Sequence, residues 1–141
     1  MVVTLVLSMH YRYRLNASSK LDGSRYAIQA TDATFQLEVI EEDRPVLVMF
    51  QAPWCQPCRQ MKPTWEKVAN RYSGKVKFVT VNGDESEFSR QKFQVDRYPT
   101  LMIFRQGKEL MRLVGLVSEN DLMDWIETIL KSMQAQTTLD K

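Results

Sequence analysis

Apolar residues change their spacing along this chain, and the spacing sorts it into elements. Val2 to Leu7 is apolar apart from Thr4, and Met9, Tyr11, Tyr13 and Leu15 then alternate with His10, Arg12 and Arg14. That alternation suits a half-buried strand. Asn16 to Arg25 is polar, with Asp22-Gly23 as a turn signal, and the domain boundary is placed there. Tyr26 to Ala30 makes a short strand. Thr31 or Asp32 then caps a helix that buries Phe35, Val39 and Ile40 and ends in Glu41-Glu42-Asp43. That acidic run reads as a solvated helix end, and Arg44-Pro45 breaks the helix.

Val46-Leu47-Val48-Met49-Phe50 is continuous rather than alternating, the mark of a central strand buried on both faces. Beyond it, Met61, Trp65, Val68, Ala69 and Tyr72 recur at helical spacing, with Pro63 inside the pattern as a kink and Ser73-Gly74 as a stop. Lys75 to Val81 alternates as another strand, with Val76, Phe78 and either Val79 or Val81 inward. Asp84 or Ser86 caps a short helix carrying Phe88 and Phe93. Leu101 to Phe104 is a strand, and Gln106-Gly107 turns it into Leu110 to Val114. Ser118 and Asp121 resemble a capping box and open a last helix burying Leu122, Trp125, Ile126, Ile129 and Leu130. Residues 133–141 form a polar tail, expected to fray. The order of elements implies an α/β fold, a mixed sheet between helices. The expected organisation is an extension over 1–25, one domain over 26–132 and the tail.

Composition narrows the possibilities. At 141 residues the chain can bury one substantial core but not two ordinary ones. With 44% hydrophobic and 26% charged residues it is globular. A net charge of +2 is too small to argue for nucleic acid or an anionic membrane as partner. No apolar run approaches the roughly 18–20 residues that span a bilayer. The small positive excess is local: Arg12, Arg14, Lys20 and Arg25 stand against Asp22 alone in residues 1–25. Three readings of that arm stay open: a strand or irregular arm, an organelle targeting segment, or a secretory signal remnant. The Asn16-Ala17-Ser18 sequon has meaning only in the last case.

The candidate chemistry sits between the central strand and the helix after it, at Ala52-Pro53-Trp54-Cys55-Gln56-Pro57-Cys58-Arg59. Cys55 and Cys58 are the only cysteines. Two are too few for a disulfide-stapled scaffold, and with His10 as the one histidine no zinc ligand set is complete unless two chains share it. A Cys-x-x-Cys pair beside a βαβ pattern is an established redox signature. A thiolate is the attacking species, and an ordinary cysteine with a pKa of about 8.5 is mostly protonated at neutral pH. Placing Cys55 at a helix start favours the anion through unpaired backbone N–H groups and the helix dipole. Cys58, one turn on, lies within reach of a mixed disulfide on Cys55. Pro57 costs little in the first turn, where its missing N–H would be unpaired anyway.

With these residues in place, Tyr26 to Lys131 resembles the thioredoxin family. Trp54-Cys55-Gln56-Pro57-Cys58-Arg59 is similar to the family's Trp-Cys-Gly-Pro-Cys-Lys. Pro63 falls at the family's helix kink, Tyr98-Pro99-Thr100 at its cis-proline, Gly107 at its hairpin turn and Gly115 at the glycine lining its groove. The resemblance implies a thioredoxin fold and a thiol–disulfide oxidoreductase, with Cys55 as nucleophile and Cys58 as resolving thiol. It implies a cis Pro99 and a substrate groove of Trp54, Tyr98, Pro99 and Gly115 around the loop of Pro53, Gln56 and Pro57. It implies no cofactor and no metal; the partners are protein or peptide disulfides and a reductase or other dithiol. The chain is expected to be a monomer in the cytoplasm or a reducing stroma, with the periplasm or secretory pathway as the alternative.

Five departures from the family pattern bear on activity. Six positions ahead of Cys55, where the family has a buried acid, this chain has Met49, and the lysine that pairs with that acid is replaced by Thr80. Losing both together is electrostatically coherent, because a lone buried lysine would be costly. Gln56 stands for glycine between the cysteines, Gln51 for an aromatic beneath the site, and Tyr98 for an aliphatic residue before the cis-proline. Two alternative functions follow: a redox-sensitive adaptor or chaperone-like binding module, and a disulfide oxidase or isomerase in an oxidising compartment.

Overall fold

In the computed structural model the described residues are 26–141. The expected arm, the Asp22-Gly23 turn, His10 and the sequon lie outside them. The elements are β1 (Ala27–Ala30), α1 (Gln36–Ile40), β2 (Val46–Gln51), α2 (Gln56–Arg71), β3 (Lys77–Asn82), α3 (Glu87–Lys92), β4 (Thr100–Arg105), β5 (Lys108–Val114) and α4 (Glu119–Leu139). They follow the order expected from the sequence.

The five strands form one mixed sheet in the order β1-β3-β2-β4-β5. The first three run parallel, and β4 and β5 are antiparallel to their neighbours. Continuous hydrophobicity put β2 in the centre, and Val46 to Phe50 are all buried. Successive side chains point to opposite faces, so the sheet divides its residues between two cores. Leu47, Met49, Phe78, Leu101 and Ile103 pack under α2 and α4, against Met61, Trp65, Val68, Leu122, Trp125 and Ile126. Val46, Val48, Phe50, Val79, Val81, Met102 and Phe104 face Phe35, Val39, Phe93 and Val95. The alternation expected of β3 is corrected here: all six of its residues are buried, because helices cover both faces.

Other local expectations shift for identifiable reasons. α1 is wound wider than an α-helix: the Glu41 N–H donates to the Gln36 carbonyl at 2.9 Å, a span of five residues. Neither Thr31 nor Asp32 caps it through a side chain. Thr34 turns back instead, accepting from the Thr31 N–H at 2.9 Å, while Asp32 reaches a different helix. Its carboxylate accepts from the N–H of Phe88 at 3.0 Å, the N–H of Ser89 at 2.8 Å and the Ser89 hydroxyl at 2.6 Å. Asp32 therefore caps α3, and the Ser86 hydroxyl at the N-cap position makes no cap bond.

The acidic run is not purely a solvated end. Glu42, together with the buried Glu38, holds the buried Lys77 ammonium, at 3.2 Å and 2.5 Å. At the far end α4 continues through Leu139 rather than fraying from 133, and Leu130 is half-buried against the core. Ser118 caps α4 as expected, accepting from the Asp121 N–H at 3.2 Å. Gln106 and Gly107 both take positive φ, the turn that suits the twist of the hairpin.

Two measurements check these contacts. Burial would raise the Asp32 pKa, but the Ser89 and Phe88 hydrogen bonds outweigh it and hold the carboxyl below its ordinary value. Its contribution is thus complete above the unfolded-chain pKa and is lost as pH falls through the lower folded one. Asp32→Ala should cost about 1 kcal/mol in urea unfolding at neutral pH, and the gap to wild type should narrow below about pH 4. Lys77→Met leaves Glu38 buried without its partner and should cost about 3–5 kcal/mol in the same assay.

Candidate functional site

The site forms where the carboxyl ends of β2 and β3 meet the start of β4. Gly83 N–H donates to the Gln51 carbonyl at 2.9 Å, carrying the β2–β3 pairing one residue past the strands. After Gln51 the chain turns at once, with the Cys55 N–H on the Ala52 carbonyl at 3.1 Å, and α2 begins. Cys55 is the N-cap residue of α2. Its sulfur accepts the Cys58 N–H at 3.2 Å, so one of the donors a helix start leaves unpaired points at Sγ. Cys55 and Cys58 are joined as a disulfide, with Cα atoms 5.3 Å apart, and each residue is 2% exposed. Pro53, Gln56 and Pro57 are exposed around them, and Pro57 lies in the first turn of the helix.

Two aromatic rings flank the pair. Trp54 is 67% exposed and donates its indole N–H to Asp84 Oδ2 at 2.6 Å. The ring of Tyr98 lies 5.8 Å from that of Trp54 and packs against Ala52, Cys55 and Cys58. The Tyr98–Pro99 bond is cis, as expected. The Gly115 N–H donates to the Pro99 carbonyl at 2.8 Å, which fixes Gly115 beside the proline at φ 96°. That φ is one side chains rarely adopt, and it accounts for a glycine here.

The residues singled out in the sequence thus gather at one end of the sheet. Beneath them Met49 and Thr80 are direct neighbours across β2 and β3 and both are buried. The two positions where the family pattern has an acid and a lysine therefore face each other here without charge.

Sequence reasoning missed Asp84. It was a helix-cap candidate, and nothing in a one-dimensional pattern joins it to Trp54 thirty residues earlier. Its backbone N–H donates to the Asn82 side chain at 3.1 Å, a local turn that aims the carboxylate back over the active-site loop. A cleft of about 500 Å³ opens beside it, lined by Trp54, Tyr98, Glu87, Arg90, Asp96 and Arg97 among others. Burial first, and then the Asp84 carboxylate, push the Tyr98 phenol above its ordinary pKa.

Among the described residues no cluster of His, Cys, Asp and Glu is arranged to hold a metal ion. No described helix is long and apolar enough to cross a membrane. A helix-capping cysteine bonded to a second cysteine one turn on can cycle between disulfide and dithiol.

Comparison with known proteins agrees with this geometry. The family model for thioredoxin matches residues 26–128. Thioredoxin 1 of Nostoc sp. is 44% identical over 101 residues, covering 72% of this chain and 94% of that protein. Thioredoxin of Synechocystis sp. is 39% identical over 102 residues, covering 72% and 95%. Thioredoxin of the alga Porphyra purpurea is 40% identical over 94 residues, covering 67% and 88%. With the fold, the cysteine pair and the family match in agreement, this chain belongs to the thioredoxin family of thiol–disulfide oxidoreductases.

Proposed function

We propose that the Cys55–Cys58 couple reduces protein disulfides, with Cys55 as the attacking thiol and Cys58 as the resolving one. The observation that carries this reading is the Cys58 N–H directed at Cys55 Sγ at 3.2 Å, at the N-terminus of a sixteen-residue helix. In the dithiol state that donor and the helix dipole favour a Cys55 thiolate over the thiol. The thiolate attacks one sulfur of the substrate disulfide; a mixed disulfide forms, and the other substrate sulfur leaves as a thiolate and takes a proton. Cys58 then loses its proton and attacks Cys55 Sγ, which frees the second substrate sulfur as a thiol. Two electrons and two protons have moved to the substrate, and Cys55–Cys58 is left as the disulfide. A reductase or other dithiol partner returns it to the dithiol.

Trp54, Tyr98, Pro99 and Gly115 form the binding groove, and Pro53, Gln56 and Pro57 restrict the loop that presents Cys55. Pro99 has no N–H to compete with an extended substrate segment for backbone pairing. The protein works as a monomer in a reducing compartment, a cytoplasm or a plastid stroma. Its cyanobacterial and algal relatives support that placement.

The second thiol is where this chain differs from the family pattern. Met49 is 2% exposed and packs among Leu47, Met61 and Trp65, and Thr80 beside it is 1% exposed. A methionine can neither take nor relay a proton, so deprotonation of Cys58 falls to water or to the departing substrate thiolate. Resolution of the mixed disulfide is therefore slow.

Two experiments test the reading. Reduction of insulin by the wild-type protein, driven by dithiothreitol, should vanish in Cys55→Ser, whereas Cys58→Ser should accumulate the mixed disulfide as a covalent adduct visible by mass spectrometry. No catalysed reduction of insulin by the wild type would instead point to a binding module. Met49→Asp supplies a carboxylate, and single-turnover release of the mixed disulfide should then rise by about tenfold or more. An unchanged or slower rate would sink the account of Cys58.

A further inference from the structure

The Tyr98 side chain occupies space that only a glycine leaves free. A Cβ built on Gly83 would fall inside the Tyr98 phenol, with its hydroxyl oxygen, Cζ and Cε1 as the nearest atoms. Gly83 does not have a positive φ, so its backbone conformation does not demand glycine. What demands it is the ring. The next residue, Asp84, holds the Trp54 indole at 2.6 Å, and Trp54 and Tyr98 lie ring beside ring at 5.8 Å. The same Tyr98 side chain packs against the cluster of Ala52, Cys55 and Cys58. Three residues from two loops thus converge: a seat at 83, a tether at 84 and a bulky wall at 98, immediately before the cis-proline.

We propose that Gly83, Asp84 and Tyr98 make a size-selective wall of the substrate groove, in which Gly83 seats the Tyr98 ring and Asp84 fixes Trp54 against it. The consequence is a preference for extended disulfide segments whose residues beside the attacked half-cystine are small. Tyr98 sits next to Pro99, where the substrate backbone is laid down, so its ring takes the volume that a bulky flanking side chain would need. The tether keeps that volume from being recovered, because Trp54 cannot swing off the ring without breaking its bond to Asp84. Seating the phenol also sinks its hydroxyl beside the Asp84 carboxylate, where burial and the neighbouring negative charge keep it protonated. Asp84 and Gly83 are positioning residues; Tyr98 touches the substrate. This inference rests on the groove reading above and goes further, by naming which substrates the groove selects.

The test uses two disulfide-bonded peptides, identical except for Gly or Leu on both sides of the attacked half-cystine, each reduced by the full-length protein with dithiothreitol as electron source. The wild type should favour the Gly peptide by about tenfold in kcat/KM, carried by KM, the range a close-fitting pocket gives for a few added methylenes. Tyr98→Val should bring that ratio to about twofold or less. Gly83→Ala unseats the ring and should change the ratio by about threefold or more with Tyr98 present, but leave it unaltered in the Tyr98→Val background, the coupling expected of residues in contact. The double variant also guards against misfolding of Gly83→Ala, since it removes the collision. Equal use of both peptides by the wild type, or a ratio untouched by Tyr98→Val, overturns the wall while leaving the reductase reading in place. Failure to reduce either peptide overturns both.

Discussion

Strand β2 is covered on both faces, and most of this molecule follows from satisfying that constraint. A run of five buried apolar residues cannot lie at an edge or against a single layer. It requires strands on both sides to take its backbone hydrogen bonds, which β3 and β4 provide. It also requires two separate apolar covers, one from α2 and α4 and the other from α1 with Phe93 and Val95. The strand stops at Gln51, and the chain must turn at once to lay α2 back across the sheet. That reversal is what puts Cys55 at a helix N-cap, with its sulfur in front of a free N–H. The redox pair is a by-product of folding in this sense: the same turn that closes the core over β2 prepares the thiol.

This explains why so much was legible in the sequence. β2, α2 and α4 announce themselves through continuous or helically spaced apolar residues, and the cysteines mark the junction without ambiguity. Gln106-Gly107 is punctuation whose backbone demands are local, while the roles of Tyr98-Pro99 and Gly115 follow from the resemblance to the family. What escaped was long-range and polar. Asp32 looks like the cap of the helix that follows it, yet it bonds to Phe88 and Ser89, because the turn after β1 brings it to the N-terminus of α3. Asp84 looked like a cap and is a tether. Lys77 sits in a strand pattern that says nothing of two acids waiting on α1 and the turn after it. A side-chain bond between residues far apart in sequence leaves no periodic trace.

The polar groups that were missed are divided between the two ends of the sheet. The Lys77 ammonium, with Glu38 and Glu42, gathers the buried charge at the amino end of β3, away from the cysteines. The interior next to the cysteines carries none at Met49 and Thr80. Desolvation makes each buried charge expensive unless it is paired, so a charge pair can be dropped as a unit far more easily than by halves. The exposed Trp54, by contrast, owes its position to a single carboxylate at the protein surface. Catalytic geometry here depends on rigid apolar packing below and a few directed hydrogen bonds above.

The fit of Tyr98 over Gly83 restricts the order in which such a pair can arise. Starting from a chain with a side chain at position 83 and a smaller residue at 98, enlarging 98 first drives a ring into an occupied space. Shrinking 83 to glycine first opens a void, a loss of packing that a stable fold absorbs and that the ring then fills. The route with glycine first stays folded at each step. The two positions, fifteen residues apart on different loops, are therefore coupled in volume in one direction: residue 98 can shrink while Gly83 stays, but residue 83 cannot grow while Tyr98 stays.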